Sequence, residues 1–198
     1  MSEAKPEAHP HGERGPWWVN ESHVKYEDPW IRVVRDEVTR PDGAAGSYCV
    51  AHLKSGVCVV AVSEDRSVHL TREFHYGVNR VTLEAVSGGR DDNEEPLITA
   101  KRELQEELGI RAAKWLALGI ADPFTANVVS PTHLFLAMEL DFGNSDPEGT
   151  EEIEMMTLSW SDAITRVYSG EISHAPSGLC LLKADAYFRG LVTFPEAT

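Results

Sequence analysis

Alternating hydrophobic and polar positions predict strands over most of the chain after a polar leading segment. The predicted strands, in chain order, are VKYEDPWIRVVRDEV, SYCVAHL, VCVVAVS, SVHLTREF, VTLEAV, WLALGIA, THLFLAMEL and EEIEMMTLSW. Turn residues lie between several of them, at Pro41-Asp42-Gly43 and at the polar residues 64–66, where a hairpin is predicted. Residues 122–131 are predicted to form a long loop.

A different periodicity predicts the helices. Between Pro96 and Gly109, apolar residues recur three and four positions apart and form one stripe: Leu97, Ala100, Leu104 and Leu108. Proline near the start and glycine at the end are typical helix boundaries. Shorter helices are predicted around residues 161–169 and 176–188. Strands interspersed with helices predict an α/β (α+β) fold in which a mixed sheet is flanked by helices.

The chain of 198 residues suits one globular unit with a sizeable core. Residues 1–16 are predicted to be a flexible N-terminal arm in which His9 and His11 are solvated, residues 17–55 an N-terminal β layer, and residues 56–198 the main domain. No apolar run reaches membrane-spanning length, and the leading segment lacks the apolar core of a signal peptide. The sequence therefore favours a protein that is neither a membrane protein nor exported by that route.

Charge and cysteine usage narrow the setting further. The net charge of −14 argues against nucleic acid as a partner, because binding its backbone needs a basic surface. Cys49, Cys58 and Cys180 have apolar neighbours and no paired spacing, so they are expected to be reduced, buried thiols. These features predict a cytoplasmic protein.

The candidate chemistry lies beside the apolar stripe of the predicted helix. Glu103, Glu106 and Glu107 share an arc of that helix, and carboxylates so close together repel one another unless a cation compensates. Oxygen ligands without nearby His or Cys favour a hard ion, Mg2+ or Mn2+, over zinc. The alternative is a solvated acidic helix face, which leaves the spacing of the flanking residues unexplained.

That spacing is G-x5-E-x7-R-E-U-x-E-E-x-G-U, where U is a bulky aliphatic residue. It is met by Gly88, Glu94, Arg102, Glu103, Leu104, Glu106, Glu107, Gly109 and Ile110. The segment resembles the Nudix box, the signature of enzymes that hydrolyse a nucleoside diphosphate linked to another group. The resemblance implies a Nudix α/β/α sandwich with a mixed sheet, here preceded by the small N-terminal β layer.

The resemblance also implies roles for residues of the box. Glu103 and Glu107 would bind the metal with Glu106 assisting, and Glu106 and Glu107 would act in catalysis. The backbone carbonyl of Ser87 would be a further metal ligand, and Gly88 would allow the close approach because it has no side chain. Glu94 and Arg102 would pair as structural support for the site and, by helix geometry, lie away from the Glu103–Glu107 pair.

The resemblance further implies a catalytic base, or an additional metal ligand, from the acidic loop that precedes the last strand. Glu151 aligns best with that role, and Glu148 and Glu152 are its rivals.

Several segments resemble the ADP-ribose pyrophosphatase branch of the family. The lead-in to the box, residues 84–88, resembles the E-U-P-A-G segment of that branch, with Val86 where proline is usual. The segment 72–76 resembles its Q-Y-R segment, with His75 in place of the arginine. Three residues are candidate substrate contacts. Arg72 would bind a phosphate, or is a surface residue at the end of an edge strand. Glu84 would bind a sugar hydroxyl or a ligand-facing water, or is simply a polar position of its strand. Trp30 would stack on a base. Trp30 is otherwise a core or dimer contact.

The implied reaction is hydrolysis of ADP-ribose to AMP and ribose 5-phosphate, or of another nucleotide sugar to its own nucleoside monophosphate and a sugar phosphate. Residues 122–127 depart from the loop of that branch and leave open a dinucleotide such as NADH, a dinucleoside polyphosphate or a nucleoside triphosphate as substrate. A non-catalytic nucleotide sensor is a third possibility, although every metal-binding carboxylate is present. In that branch the N-terminal layer pairs with its counterpart, which implies a homodimer.

Overall fold

The computed structural model describes residues 8–91, 93–146 and 152–197. Its strands are β1 (Gly12–Arg14), β2 (Trp17–Glu27), β3 (Ile31–Thr39), β4 (Ala45–Leu53), β5 (Gly56–Val62), β6 (Ser67–His75), β7 (Arg80–Glu84), β8 (Val86–Gly89), β9 (Ile110–Ala121), β10 (Val128–Val129), β11 (Thr132–Phe142) and β12 (Glu154–Ser159). The helices are α1 (Pro96–Leu108), α2 (Trp160–Ser169) and α3 (Ala175–Phe188). The chain divides into two compact units, the first formed by the residues up to Lys54 together with Phe124–Ser130 and the second by the rest.

The first unit is one sheet with the strand order β1-β2-β3-β4-β10. β1 to β4 are antiparallel neighbours, and the predicted turn at residues 41–43 joins β3 to β4. Val19, Val34, Val38 and Val50 form the buried side of this sheet. Asp36 is also buried, and its carboxylate accepts a hydrogen bond of 2.6 Å from the Ser22 hydroxyl.

Two parts of the first unit differ from the sequence-based expectation. The arm was expected to extend to residue 16, but Gly12–Arg14 pair with β2, and His9 Nδ1 lies 2.6 Å from the Asp36 carboxylate. Residues 122–131 were expected to form a loop, but β10 pairs in parallel with β4. Both departures supply hydrogen-bond partners to groups of the sheet, as when the amide of Ala51 donates to the carbonyl of Asn127 at 2.9 Å.

The second unit contains a mixed sheet with the order β12-β6-β5-β11-β9, on which β7 pairs with β6 and β8 with β5. β5 and β11 are parallel, and the other pairs are antiparallel. Side chains of β5 alternate between two cores, because successive residues of a strand point to opposite faces. Val57, Val59 and Ala61 pack with α1, while Cys58, Val60 and Val62 pack with α2 and α3. The predicted α/β/α sandwich is therefore confirmed.

The box helix has the predicted limits. α1 begins at Pro96 and ends at Leu108, and all four residues of the predicted apolar stripe are buried. Gly109 follows in the left-handed conformation with φ 66°, and its amide donates to the carbonyl of Gln105 at 2.9 Å. Residues 143–146 pass directly over this end of the helix. Two hydrogen bonds hold them there, from the Gly143 amide to Gly109 O at 2.7 Å and from the Asp146 amide to Glu106 O at 2.9 Å.

Replacing Gly109 with alanine tests this close packing. A Cβ at Gly109 would lie 2.6 Å from the carbonyl oxygen of Gly143, so the covering segment would have to shift. Gly170, which ends α2 with φ 80°, has no atom within 4 Å of such a Cβ and is a matched control. We expect Gly170→Ala to lower the free energy of unfolding by about 1–2 kcal/mol, the conformational cost alone. Gly109→Ala should lower it by more than about 3 kcal/mol, because overpacking adds to that cost. Equal losses in denaturant titrations of both variants would contradict the packing described.

Candidate active site

The acidic side chains of α1 lie at the border between core and solvent. Glu107 is buried with 9% of its surface exposed, and the side chains of Glu103 and Glu106 are 13% and 37% exposed. Leu104, between them in sequence, is fully buried in the core on the α1 side of the sheet. The apolar stripe thus fixes the rotation of the helix and sets the direction in which the carboxylates point.

Gly88 lies directly against one of these carboxylates. It belongs to β8, which pairs with β5 so that Val57 is opposite Gly88 and Cys58 is opposite Ser87. A Cβ built on Gly88 would overlap the carboxylate of Glu103. A side chain at this position is therefore incompatible with the observed place of Glu103, which is a physical reason for glycine at the start of the box.

Arg102 lies among the carboxylates. Its Nη1 is 2.9 Å from Oε1 of Glu103 and 2.9 Å from Oε2 of Glu106, and its Nη2 is 3.3 Å from Oε2 of Glu94. The expected pairing of Arg102 with Glu94 is present. The expectation that Arg102 lies away from the Glu103–Glu107 pair is wrong, because a long guanidinium side chain reaches both its neighbour in sequence and the residue one turn later.

This arrangement shifts the titration of the paired groups. Burial lowers the pKa of Arg102, but the hydrogen bond to Glu94 and the charges of the surrounding glutamates outweigh it and raise that pKa. The hydrogen bond from Arg102 lowers the pKa of Glu94, and the Thr99 hydroxyl, which donates to Glu94 Oε2 at 2.9 Å, contributes in the same direction. Arg102 and Glu94 therefore form a charge pair that connects the segment just before α1 to the middle of that helix.

The donors at this position suit a hard divalent cation. They are carboxylate oxygens, and Gly88 permits the backbone around Ser87 to come close to them. Across residues 8–91, 93–146 and 152–197, no three His, Cys, Asp or Glu side chains are already arranged to hold a metal ion. A cation bound here would compete with Arg102 for Glu103 and Glu106.

Glu84 is surrounded by partners that the sequence did not reveal. The Thr82 hydroxyl donates to its Oε1 at 2.6 Å, and Nε2 of His75 lies 3.3 Å from the same oxygen. Nδ1 of His174 lies 2.9 Å from Oε2. Burial by itself raises the pKa of Glu84, but these contacts outweigh burial, and the pKa of Glu84 is lowered. Burial by itself lowers the pKa of His174, but the contact with Glu84 outweighs burial, and the pKa of His174 is raised. His174 is ninety positions from Glu84, so no local pattern could have paired them.

The other two predicted substrate contacts, Arg72 and Trp30, belong to different units of the chain. Arg72, in the second unit, donates from Nη1 to Glu154 at 2.9 Å and sits on β6, between β12 and β7. Trp30, in the first unit, is 71% exposed in the turn between β2 and β3, which Asp28 stabilises by accepting its amide hydrogen at 2.8 Å. This exposure rules out the alternative of Trp30 as a core residue.

The expected catalytic base falls outside the described residues, because both Glu148 and Glu151 lie in the stretch 147–151. The chain that leads into this stretch runs along α1, where the side-chain amide of Gln105 donates to the carbonyl of Asn144 at 3.1 Å. Glu152, the rival on the other side, is exposed.

Two findings about the surroundings also bear on the sequence-based expectations. Cys58 and Cys180 are buried free thiols, as expected, but Cys49 is exposed, because its position on β4 turns its side chain away from the core. In the described part of the chain, no helix is long and apolar enough to cross a membrane.

Comparison with known proteins identifies the family of this chain. The NUDIX domain family matches residues 52–172, more than half of the chain. The chain belongs to the Nudix family. The family described as nucleoside diphosphate sugar hydrolase N-terminal domain matches residues 17–50. The protein is accordingly a Nudix pyrophosphohydrolase, an enzyme that cleaves a nucleoside diphosphate linked to another group.

Two curated relatives and one solved structure show the degree of similarity. An ADP-ribose pyrophosphatase of Bacillus subtilis is 29% identical over 74% of this chain and 80% of its own length. An ADP-ribose pyrophosphatase of Mycobacterium tuberculosis is 30% identical over 70% of this chain and 68% of its own length. The crystal structure of an ADP compounds hydrolase superposes with a TM-score of 0.75 at 18% identity, covering 89% of this chain and 97% of that one. At that identity the likeness shows the fold.

Replacing Gly88 tests the contact between β8 and Glu103. We expect Gly88→Ala to displace the Glu103 carboxylate and to lower kcat/KM about 100-fold, as small misplacements of reacting groups do. Gly77→Ala is the matched control, since a Cβ there meets no atom within 4 Å, and it should change kcat/KM by less than about twofold. A folded Gly88→Ala enzyme with wild-type kcat/KM would contradict the site geometry.

Proposed function

We propose that the protein hydrolyses ADP-ribose to AMP and ribose 5-phosphate. The observation that carries the proposal is the carboxylate of Glu103 held against Gly88, on the same helix face as Glu106 and Glu107. The two curated relatives named ADP-ribose pyrophosphatase support the substrate. In this reaction, water adds to one phosphorus of the diphosphate, the bond from that phosphorus to the bridging oxygen breaks, and each product keeps one phosphate.

Nudix hydrolases generally depend on a divalent metal ion. We propose that Glu103 and Glu107, assisted by Glu106, bind Mg2+ or Mn2+ together with the backbone carbonyl of Ser87. Such an ion, when bound, polarises a phosphoryl oxygen and makes bound water a better nucleophile. Buried, preoriented carboxylates serve this purpose because Glu103 and Glu107 are largely shielded from competing water.

The protein's own groups bind and orient the substrate. Arg72 is proposed to bind a phosphate. Its salt bridge to Glu154 is exposed and therefore contributes little free energy, so a phosphate can replace Glu154 as the partner of Arg72. Glu84 is proposed to accept a hydrogen bond from a sugar hydroxyl, since the contacts of Thr82 and His174 keep it ionised. Trp30 is proposed to stack on the base, as its exposed ring allows.

A loop glutamate is proposed to take the proton from the attacking water. Glu151 is the first candidate and Glu148 the second, with Glu152 as the rival that the structure describes. The hydrogen bond from Asp146 to Glu106 supports this proposal, because it brings the chain just before residue 147 to the acidic part of α1. Gly88, Glu94 and Arg102 are proposed as structural support for this arrangement.

We further propose that the protein works as a homodimer in the cytoplasm, without nucleic acid as a partner. Residues 17–55 are the proposed contact layer. The support is a set of exposed apolar side chains on β2 and the following turn, namely Trp18, Val24, Tyr26 and Trp30, which water solvates poorly. A monomer mass in analytical ultracentrifugation at micromolar concentration would contradict the dimer.

A second candidate keeps the chemistry and changes the substrate to NADH, a dinucleoside polyphosphate or a nucleoside triphosphate. The observation that favours this candidate is that the sequence of residues 122–127 differs from the corresponding loop of the ADP-ribose pyrophosphatase branch. Residues 124–127 of this loop belong to the first unit of the chain. A non-catalytic sensor is less well supported, because Glu103, Glu106 and Glu107 are all present and share one helix face.

A substrate panel tests the proposal. Phosphate release after coupling with alkaline phosphatase is measured with Mg2+ for ADP-ribose, other nucleotide sugars, NADH, diadenosine polyphosphates and nucleoside triphosphates. We expect ADP-ribose to give the highest kcat/KM and Glu107→Gln to lower it at least about 100-fold, since a lost metal ligand removes several kcal/mol of transition-state stabilisation.

The matched control is Glu95→Gln, which removes the same charge from an exposed position at the start of α1 and should leave the rate unchanged. Preference for another compound would replace the substrate. No turnover of any compound, together with nucleotide binding, would reject the enzyme in favour of the sensor.

A further inference from the structure

The first turn of α3 holds the chain segment that leads into β8. Ser177 is fully buried, and its hydroxyl accepts a hydrogen bond of 2.9 Å from the amide of Ala85. Ala85 is also fully buried and joins β7 to β8. Its carbonyl accepts a hydrogen bond of 2.9 Å from the Ser87 hydroxyl. One residue, Ala85, is therefore fixed at both its amide and its carbonyl.

His174 connects the same turn of α3 to the neighbouring residue of the lead-in. Its Nδ1 lies 2.8 Å from the Ser177 hydroxyl and 2.9 Å from Oε2 of Glu84. Its backbone carbonyl accepts the amide hydrogen of Gly178 at 3.0 Å, which keeps it at the start of the helix. Glu84 and Ala85 are thus held from α3 by a side-chain ion pair and by a buried hydrogen bond.

On its other side, β8 is held by its pairing with β5. β8 pairs with β5, and a Cβ at Gly56 would lie 3.2 Å from the carbonyl oxygen of Gly88. β5 pairs with β8, and the Glu103 carboxylate lies against Gly88. The position of β8 therefore depends further on Ala85, the residue that precedes it. Ser177 binds the amide of Ala85, and its hydrogen bonds do not include the acidic residues of α1.

We propose that Ser177, oriented by His174, is a positioning residue that fixes Ala85 and thereby sets the place of the Ser87 carbonyl and Gly88 relative to Glu103. The inference rests on the proposed function, because its consequence is the affinity of this site for a divalent cation. Ser177 acts through the backbone of the lead-in and not on the reacting atoms. Removing the hydroxyl leaves the buried amide of Ala85 without this acceptor, so the lead-in has to move or lose a hydrogen bond.

The experiment compares Ser177→Ala with Leu181→Ala. Both residues are on α3 and fully buried, but Leu181 packs only in the core, so its replacement controls for lost stability. Binding of Mn2+ to the full chain is measured from the free-ion signal in electron paramagnetic resonance, and kcat and KM for ADP-ribose are measured in parallel. Ser177→Cys, whose thiol is a weak hydrogen-bond acceptor, is the second variant if Ser177→Ala does not fold. It is assayed with a reductant, because Sγ of Cys58 lies 3.9 Å from the Ser177 hydroxyl.

We expect Ser177→Ala to weaken Mn2+ binding and to lower kcat by about 10-fold or more, as the loss of outer hydrogen bonds around metal ligands does, with little change in KM. Leu181→Ala should lower the melting temperature at least as much and leave Mn2+ affinity and kcat at wild-type values. Wild-type Mn2+ affinity and kcat in a folded Ser177 variant would overturn the inference, as would equal losses in Leu181→Ala.

The wild type and Glu107→Gln separate this inference from the proposed function. If the wild type binds Mn2+ and Glu107→Gln does not, the proposed metal site stands, and the Ser177 result decides the inference alone. If the wild type does not bind Mn2+, the proposed function fails, and the inference fails with it.

Discussion

The contact between the Glu103 carboxylate and Gly88 is the constraint on which the rest of the site depends. It joins α1 to β8 at a point where no side chain fits. The apolar stripe of α1 fixes one partner by burying Leu104 in the core, and the pairing of β8 with β5 fixes the other. The site is therefore built on a helix and a strand, elements that hold reacting groups more rigidly than loops do.

Charge compensation is the second requirement of this geometry. Three glutamates, Glu94, Glu103 and Glu106, lie within salt-bridge distance of Arg102. The guanidinium thus offsets repulsion that would otherwise oppose bringing these carboxylates together, in a chain whose net charge is already −14. A divalent cation at the proposed metal site would add to this compensation and would compete with Arg102 for Glu103 and Glu106. The affinity of that site for a cation would then depend on this competition and on the positions of Glu103 and Gly88.

The sequence predicted those features that depend on neighbouring residues. The limits of α1 and its buried stripe follow from periodicity and from Pro96 and Gly109. The hairpin of β5 and β6 follows from the polar turn at residues 64–66. Contacts between distant segments could not be predicted in this way. The pairing of β10 with β4 and the contacts of His174 with Glu84 join residues more than seventy positions apart, and no local pattern marks them. The reach of Arg102 to Glu103 was missed for another reason, because a helix wheel gives the direction of a side chain and not its length.

An anomalous difference map from crystals grown with Mn2+ tests the central claim most directly. The proposed metal site predicts a peak within about 2.0–2.3 Å of carboxylate oxygens of Glu103 and Glu107 and of the carbonyl oxygen of Ser87, as expected for a hard cation bound by oxygen. A map with no peak beside Gly88, or with its peak on other residues, from crystals of an enzyme that Mn2+ activates would contradict the account.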